Sequence, residues 1–397
     1  MTVRSHLRRL APWLASSRRI RSRIDNVEMK IERLRTSLGQ RAPALIPLLI
    51  RPDPRSLQIA VTAHCNLRCV GCRYGRDFMA GAQLSTSMVT EVLDDAKEHG
   101  VYSVRFYGGE PLLHPGLADM IAHAVRLGIS PWVTTNGILL SETIDKLYAA
   151  GLRGIRIGLY GVGAKYDDYV QRKDRFRKLE AGIAAVRQRY GSIVYIGINW
   201  LLMRSSCNLD DLHAAWEFAE RYSTPIQVDL IHYSLPYFTE GPTGELQFRP
   251  EDRPAVDALT VELIRLKEQR PDLLTESVVG LRSIPDWVIQ GPAMRVPCDF
   301  RETIWIGADG TVQLCYVKFR LGNLHEKRLR AILFGPEHKQ AARDSFSLNC
   351  PNCHCNYARR VQKYAPTARL YSMALAEGAD QEPSPCLNAL ERAPIVE

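Results

Sequence analysis

Three cysteines fall close together in the stretch HCNLRCVGCRYG, residues 64–75. Cys65, Cys69 and Cys72 have the spacing C-x3-C-x2-C. A cubane [4Fe–4S] cluster has four irons, so three thiolates leave one iron with an open position. Structural zinc sites prefer four closed ligands, and an isolated CxxC pair is more typical of redox chemistry. The spacing therefore indicates an iron–sulfur cluster that binds a further ligand on its fourth iron.

A second group of cysteines lies in the last third of the chain: Cys298, Cys315, Cys350, Cys353 and Cys355, with Cys386 further on. We expect a cytoplasmic protein, because no window has the apolar length of a signal peptide or a spanning helix. A reducing compartment disfavours disulfides, so the clustered thiols indicate metal binding.

The elements that must position these cysteines show strand–helix alternation. The predicted strands are 58–63, 103–107, 131–135, 154–160, 193–203 and 226–233, and the predicted helices are 86–99, 116–128, 141–150, 166–188 and 208–221. Such alternation indicates a parallel sheet covered by helices. Six strands are too few for a closed eight-fold barrel, so we predict an open, partial barrel with its active site at the C-terminal strand ends.

The positive charge is concentrated near the N-terminus. Residues 1–41 contain ten arginines and one lysine against three acids, a net charge of +8 out of +9 for the whole chain. In this arm Ile20, Ile24, Val27, Ile31, Leu34 and Leu38 form a heptad seam. The seam fits a dimer, a partner helix, an anionic membrane surface or packing on the same chain. Nucleic acid is an unlikely partner, since no aromatic residues interleave the arginines.

We predict six segments along the chain. They are a basic amphipathic arm (1–42), a Pro-rich linker (43–57), the partial barrel (58–240), a helical connection (241–297), a small α+β metal-binding domain (298–376) and a polar tail (377–397). A hairpin within 301–317 turns at Asp309-Gly310, and a helix is predicted near 358–376. The fold class is α/β.

The C-x3-C-x2-C motif after the first strand resembles that of the radical S-adenosylmethionine (SAM) enzymes, which have a partial (β/α)6 TIM-like barrel. The resemblance implies a [4Fe–4S] cluster whose open iron binds SAM and cleaves it to a 5′-deoxyadenosyl radical. An electron donor such as flavodoxin or ferredoxin is also implied. Other segments of residues 58–235 match the family in the expected order.

The resemblance also implies residues that bind SAM. In YGGEP (107–111), Gly108, Gly109 and Glu110 correspond to the motif that binds the methionine amino group, although a tight turn is an alternative. In TTNG (134–137), Thr134, Thr135 and Asn136 correspond to methionine or ribose contacts, with helix capping as an alternative.

Two further cofactor contacts are less direct. Arg172, in YDDYVQRKDRF (166–176), corresponds to an arginine that pairs with the cofactor carboxylate, and a solvated charge is the alternative. The family usually has an aromatic residue before the third cysteine, where this chain has Gly71. Tyr74 is our candidate to replace it near adenine.

The second cysteine group resembles the auxiliary-cluster extension called SPASM, or its shortened form, the twitch domain. The resemblance implies one auxiliary [4Fe–4S] cluster on Cys298, Cys315, Cys350 and Cys353, with Cys355 as an alternative ligand. A zinc site on four of these thiols is the other possibility.

Three residues near strand ends are candidates for substrate chemistry. Cys207, just past the fifth strand, is a candidate hydrogen donor of the epimerase type or an inert thiol. His232 and Tyr233, which end the sixth strand, are a candidate proton acceptor and a candidate substrate contact, or simply packing residues.

We therefore predict a radical SAM enzyme, of dehydrogenase or epimerase type, that oxidises, epimerises or dehydrates a hydroxylated small molecule or carbohydrate. The alternatives are an enzyme that modifies ribosomally made peptides and, in another class, a metal-binding scaffold protein that uses the basic arm to bind a partner or membrane.

Overall fold

The computed structural model describes residues 18–238, 244–298, 300–364, 366–367 and 369–371. Residues 1–17 of the predicted arm, the predicted tail at 377–397 and Cys386 lie outside the described residues, as do the seam side chains of Ile20 and Ile24.

The described chain forms one nine-stranded sheet of order β6-β5-β4-β3-β2-β1-β7-β8-β9. Its strands are β1 (Ser56–Thr62), β2 (Ser103–Gly108), β3 (Ser130–Thr135), β4 (Gly154–Leu159), β5 (Tyr195–Leu202), β6 (Ile226–Leu230), β7 (Thr303–Ile306), β8 (Thr311–Gln313) and β9 (Arg320–Asn323). Strands β1 to β6 pair in parallel in sequence order, which confirms the predicted partial barrel.

Helices follow the strands as predicted, with one break. The helices are α1 (Arg18–Arg41), α2 (Ile46–Leu49), α3 (Thr86–Glu98), α4 (Leu117–Arg126), α5 (Leu140–Ala149), α6 (Ala164–Val170), α7 (Arg175–Tyr190), α8 (Leu209–Tyr222), α9 (Arg253–Gln269), α10 (Val278–Arg282), α11 (Ile284–Gln290), α12 (Leu329–Ile332), α13 (Pro336–Phe346) and α14 (Tyr357–Lys363).

The prediction of one helix over 166–188 is wrong, because the chain turns between α6 and α7. Gln171 and Asp174 have left-handed backbone angles, with φ of 53° and 59°. The Asp167 carboxylate accepts hydrogen bonds from the backbone N–H groups of Arg175 and Phe176, at 2.9 and 2.8 Å. This caps the start of α7 and fixes the turn.

The six barrel strands have an apolar outer face and a polar inner face. On β4, Ile155, Ile157 and Leu159 are buried against the helices, whereas Arg156 alternates with them and faces inward. The same alternation places Arg105 of β2 on the inner face. Parallel strands covered on both faces are usually apolar throughout, so this polar interior marks a site rather than a packed core.

The C-terminal hairpin joins the barrel sheet. Strand β7 pairs in parallel with β1, and β8 and β9 follow in antiparallel order. The predicted boundary between barrel and metal-binding domain therefore lies within a continuous sheet, because β7 occupies the free edge of β1. In the predicted linker, α2 forms and β1 already begins at Ser56. Helix α14 ends at Lys363, earlier than predicted.

Helix α1 docks through the face opposite its apolar seam. Glu32 forms an ion pair with Arg301, Thr36 is buried, and a Cβ on Gly39 would lie 3.1 Å from the Phe346 ring. The described seam residues instead face outward: Val27 is 49% exposed, Ile31 39%, Leu34 62% and Leu38 40%. The described part of the seam therefore stays partly exposed to solvent. Within the described residues, no helix has the length and apolarity to cross a membrane.

Candidate active site

The loop that carries Cys65, Cys69 and Cys72 begins at the C-terminal end of β1. Its backbone is held on one side by the end of α6, since Val70 N–H donates to Tyr169 O at 2.9 Å. On the other side Cys72 forms an antiparallel bridge with Phe238. Arg76 donates to the carbonyl oxygens of Arg68 and Cys69. The loop conformation is therefore fixed by contacts with the barrel.

All three thiols line one cavity of about 1020 Å³ at the C-terminal ends of the strands. Burial raises the pKa of Cys65 to about 11 and raises those of Cys69 and Cys72, and the neighbouring thiols add to the shift of Cys65 and Cys69. The thiols are thus protonated at neutral pH until iron binds and displaces the protons. Three thiols around one cavity fit the predicted cluster.

The two glycines of YGGEP allow β2 to approach the start of the cluster loop. A Cβ on Gly108 would lie 2.2 Å from Thr62 O, and one on Gly109 would lie 2.3 Å from His64 O. Gly108 also has φ of +142°. Gly109 N–H donates to Thr62 O, and Glu110 N–H donates to His64 O, both at 2.8 Å. Both glycines line the cavity, as predicted for cofactor contacts.

Glu110 joins two turns of the site. Its side chain is fully buried, and its carboxylate accepts hydrogen bonds from Thr135 Oγ1 at 2.7 Å, Asn136 N–H at 2.8 Å and Leu112 N–H at 2.9 Å. Burial raises its pKa to about 7. The carboxylate ties the YGGEP turn to the TTNG turn, and its predicted contact with the cofactor ammonium group stays a prediction.

The TTNG residues line the cavity, and two of them also stabilise the turn that carries them. Thr134 lines the cavity, and its buried Oγ1 has no partner in the described structure. Thr135 and Asn136 also line it, but their side chains accept from Gly137 N–H and Ile138 N–H. Asn136 Nδ2 further donates to Asn66 Oδ1 in the cluster loop, at 2.7 Å. Helix α5 starts later, at Leu140, so these residues stabilise the turn rather than cap the helix.

Arg172 and Tyr74 both line the cavity. The Arg172 guanidinium donates to Gln171 O at 3.2 Å and has no carboxylate partner among the described residues. It is therefore available to an anionic group, as predicted. Tyr74 is buried, packs edge-on against Tyr237 with ring centroids 5.2 Å apart, and accepts from Ala308 N–H. Its predicted place near adenine remains a prediction.

Auxiliary cysteines converge on the same cavity. Cys315, Cys353 and Cys355 line it, and Cys298 is buried beside Cys315 and Cys355. Cys350, which the resemblance favoured over Cys355, does not line it. In the described parts of the chain, no three His, Cys, Asp or Glu side chains are grouped to hold a single metal ion.

Arg360 of α14 joins the two segments that carry these cysteines. The guanidinium is fully buried and donates to the carbonyl oxygens of Val296, Pro297 and Cys353. It also lies 4.8 Å from the ring centroid of Trp287. Its position fixes the chain just before Cys298 against the turn at Cys353.

The residues between the last cysteines anchor that turn to the barrel. Asn352 donates to Pro292 O and Met294 O, both at 2.9 Å. His354 Nε2 lies 3.0 Å from Leu230 O at the end of β6. Cys355 Sγ lies 3.3 Å from His232 Nε2. The auxiliary site thus abuts the end of a barrel strand, which the sequence did not indicate.

The three substrate candidates are separated. His232 lines the cavity, and burial lowers its pKa to about 4. Tyr233 packs edge-on against His354, with ring centroids 5.0 Å apart, and does not line the cavity. Cys207 lines a different pocket with Arg204 and Asp252. The predicted hydrogen-donor role of Cys207 therefore does not fit, because its thiol lies outside the cavity that holds the cluster cysteines.

Sequence reasoning missed several cavity residues: Arg105, Tyr107, Tyr169, Tyr237, Phe238 and Trp305. An arginine inside the apolar run SVRFY was a signal for an inward-facing charge. Nothing in the sequence indicated that Tyr237 and Phe238 would return to the cluster loop.

This fold and this arrangement of thiols define a cofactor-dependent radical enzyme, and comparison with known families agrees. Residues 59–203 match the model of the radical SAM superfamily, and residues 298–356 match that of SPASM, an iron–sulfur cluster-binding domain. The chain belongs to the radical SAM superfamily and carries a SPASM-type domain. A [4Fe–4S] cluster, SAM and an auxiliary cluster are accordingly its cofactors.

Curated relatives match part of this chain. The chain is 30% identical over 173 residues to a GTP 3′,8-cyclase of Chlorobaculum tepidum, covering 43% of this chain and 52% of that protein. It is 34% identical over 153 residues to a GTP 3′,8-cyclase of Streptomyces coelicolor, covering 37% and 44%. The chain thus spans about half the length of the curated relatives it matches.

Solved structures share the overall fold. Streptococcus suis SuiB aligns with a TM-score of 0.57 and 17% identity, covering 87% of this chain and 80% of that one. The enzyme anSMEcpe with bound AdoMet aligns with a TM-score of 0.58 and 15% identity, covering 86% and 99%. At this identity the likeness shows the fold alone.

Proposed function

We propose that this radical SAM enzyme is an oxidoreductase of the dehydrogenase type, acting on a hydroxylated small molecule or carbohydrate. One observation carries the proposal: Cys65, Cys69 and Cys72 share a single cavity with Cys315, Cys353 and Cys355. A substrate in that cavity would be accessible to both sets of thiols.

Oxidation of an alcohol carbon removes a hydrogen atom, a proton and an electron. When bound, the cofactors supply the radical that takes the hydrogen atom and the auxiliary cluster that accepts the electron. The proton needs a base from the chain itself. His232 lines the cavity, and its Nδ1 has no partner among the described residues, so it is our candidate proton acceptor.

Aromatic side chains pack against one another along part of the cavity lining. Tyr237 packs edge-on against Tyr74 and Tyr316, with ring centroids 5.2 and 5.5 Å apart, and Trp305 packs against Tyr316 at 4.2 Å. Excluding water protects a reactive intermediate from side reactions. Epimerisation is less well supported, since it needs a hydrogen donor and Cys207 lies in a separate pocket.

A second candidate is nucleotide cyclisation, the activity in the names of the curated relatives. It is favoured by 30–34% identity over the barrel, but only about half of those proteins is covered. A third candidate is peptide modification, because SuiB has also been crystallised bound to its precursor peptide SuiA. That likeness concerns the fold and adds no further support.

The test is an anaerobic reaction of the reconstituted enzyme with SAM, dithionite and three separate pools: a small-molecule metabolite extract, GTP and short peptides. The dehydrogenase proposal predicts a metabolite two hydrogens lighter, formed together with 5′-deoxyadenosine and without deuterium from heavy water. A product from GTP or a peptide alone, or deuterium in an otherwise unchanged metabolite, would contradict it.

A further inference from the structure

Three polar atoms without hydrogen-bond partners lie near one another in the lining of the active-site cavity. Arg105 Nε and Tyr107 Oη belong to β2, and Trp305 Nε1 belongs to β7. All three atoms are buried without a hydrogen-bond partner in the described structure, and all three side chains line the cavity. Buried polar groups in native proteins are nearly always satisfied, so such a cluster indicates a missing ligand.

Arg105 brings a buried positive charge to this part of the lining. Its guanidinium carbon lies 5.4 Å from the ring centroid of Tyr107 and 5.5 Å from that of Trp305. Burial lowers the pKa of Arg105, and the charge of Asp229 partly opposes that shift. Arg156, whose Nη1 lies 3.3 Å from Asn199 Oδ1, shares the same carboxylate. Two arginines therefore face one acid.

The described lining of the cavity has the same imbalance. It contains the arginines Arg68, Arg76, Arg105 and Arg172, and its one acidic residue is Asp229. A buried cation is costly unless an anion accompanies it. Arg68, Arg76 and Arg172 lie beside the cluster loop, where the cysteine thiolates and bound SAM would supply negative charge, whereas Arg105 has only Asp229, which Arg156 shares. The wall around Arg105 therefore favours a ligand with negative charge.

The position of Arg105 separates it from the predicted SAM contacts. It lies three residues before Gly108 on β2, or about 10 Å at the usual rise of a strand. Gly108, Gly109 and Arg172 lie at the strand ends, beside the cluster loop. Arg105 instead lies next to Trp305, which packs against Tyr316, the residue after Cys315.

We propose that Arg105, with Tyr107 and Trp305, binds an anionic group of the substrate, either a phosphate or a carboxylate. This inference rests on the proposed function. The remainder of the substrate would lie between the radical cluster and the auxiliary cysteines. A guanidinium binds either anion through paired hydrogen bonds, and the phenol and indole groups supply further donors. The proposed substrate is therefore an acidic or phosphorylated hydroxyl compound rather than a neutral sugar.

The test uses the reconstituted, SAM-loaded full chain with inorganic phosphate as the probe. Phosphate binding is measured from the width of the ³¹P NMR line. We expect saturable binding at one site, weakened at least tenfold by Arg105→Gln and less by Arg105→Lys, because a charge-assisted hydrogen bond is lost. SAM affinity should stay unchanged. The matched control is Arg177→Gln in α7, an exposed arginine, which should leave phosphate binding unaltered.

Acetate competition then identifies the anion. Displacement of phosphate by equimolar acetate supports a carboxylate substrate, and retention of phosphate supports a phosphorylated one. Absence of phosphate binding, or binding that survives Arg105→Gln, would overturn the inference. Loss of SAM binding in Arg105→Gln would also overturn it, by assigning Arg105 to the cofactor. Phosphate binding without any 5′-deoxyadenosine formation would instead contradict the proposed function and leave the anion site standing.

Discussion

Replacing Arg360 with methionine should dismantle the auxiliary site while leaving the radical site intact. The substitution removes hydrogen bonds to Val296 O, Pro297 O and Cys353 O. Hydrogen bonds from a charged donor contribute about 1.5–3 kcal/mol each, and the buried cation offsets part of this by its desolvation. We therefore expect a loss of about 3–5 kcal/mol. For a chain of this length that corresponds to a melting temperature lower by about 5 °C.

The assay is anaerobic thermal melting together with iron analysis. Arg360→Met should hold about four irons where the wild type holds about eight, one cluster instead of two. Arg359→Met is the matched control, because Arg359 forms a surface ion pair with Glu302 at 2.8 Å and such pairs contribute about 1 kcal/mol or less. An Arg360→Met protein with two clusters and wild-type melting would refute the reasoning.

Four further predictions follow from single side chains. Burial raises the pKa of Glu276 to about 7, so ionisation of this carboxyl group destabilises the fold as pH rises from about 4.5 to 7. At pH 8, urea unfolding should therefore show that Glu276→Gln is more stable than the wild type by up to about 3 kcal/mol. Equal free energies of unfolding at pH 8 would contradict this prediction. Cys207→Ala should leave the rate of 5′-deoxyadenosine formation unchanged. A tenfold lower rate would indicate that the Cys207 thiol takes part in the reaction. Gly109→Ala should weaken SAM binding at least tenfold, as measured by calorimetry, since its Cβ would lie 2.3 Å from His64 O. An unaltered affinity would mean that the backbone of this turn can shift to accommodate the Cβ. The predicted membrane-surface contact of residues 1–42 can be tested with Leu34→Glu, because Leu34 is 62% exposed and residues 1–41 carry a net charge of +8. That contact predicts that the wild type sediments with anionic vesicles and that the variant does not; a salt-insensitive dimer that the variant disrupts would favour self-association instead.

The barrel could be predicted from sequence because its strands face helices on their outer side. Ile155, Ile157 and Leu159, for example, alternate with smaller or polar residues and end at a turn. The first cysteine loop was equally clear, since C-x3-C-x2-C has few other uses. The spacing of residues along the chain was sufficient to predict a site whose ligands are close together in sequence.

The remainder of the site depends on contacts distant in sequence. Arg360 binds the carbonyl oxygens of residues 296 and 297, and Phe238 bridges to Cys72. No periodicity encodes such pairs. The hydrogen bonds of Glu110 were missed for the same reason, because its partners Thr135 and Asn136 lie in the turn after the next strand. The parallel pairing of β7 with β1 likewise follows from a free sheet edge rather than from the hairpin sequence.

The central claim is that two clusters face one cavity and that only the first starts the radical chemistry. The direct test is iron content and 5′-deoxyadenosine formation in anaerobically reconstituted wild type, Cys69→Ala and Cys353→Ala proteins. We predict about eight irons in the wild type and about four in each variant, with deoxyadenosine formed by the wild type and Cys353→Ala and absent from Cys69→Ala. Four irons plus zinc in the wild type, or SAM cleavage by Cys69→Ala, would contradict the account.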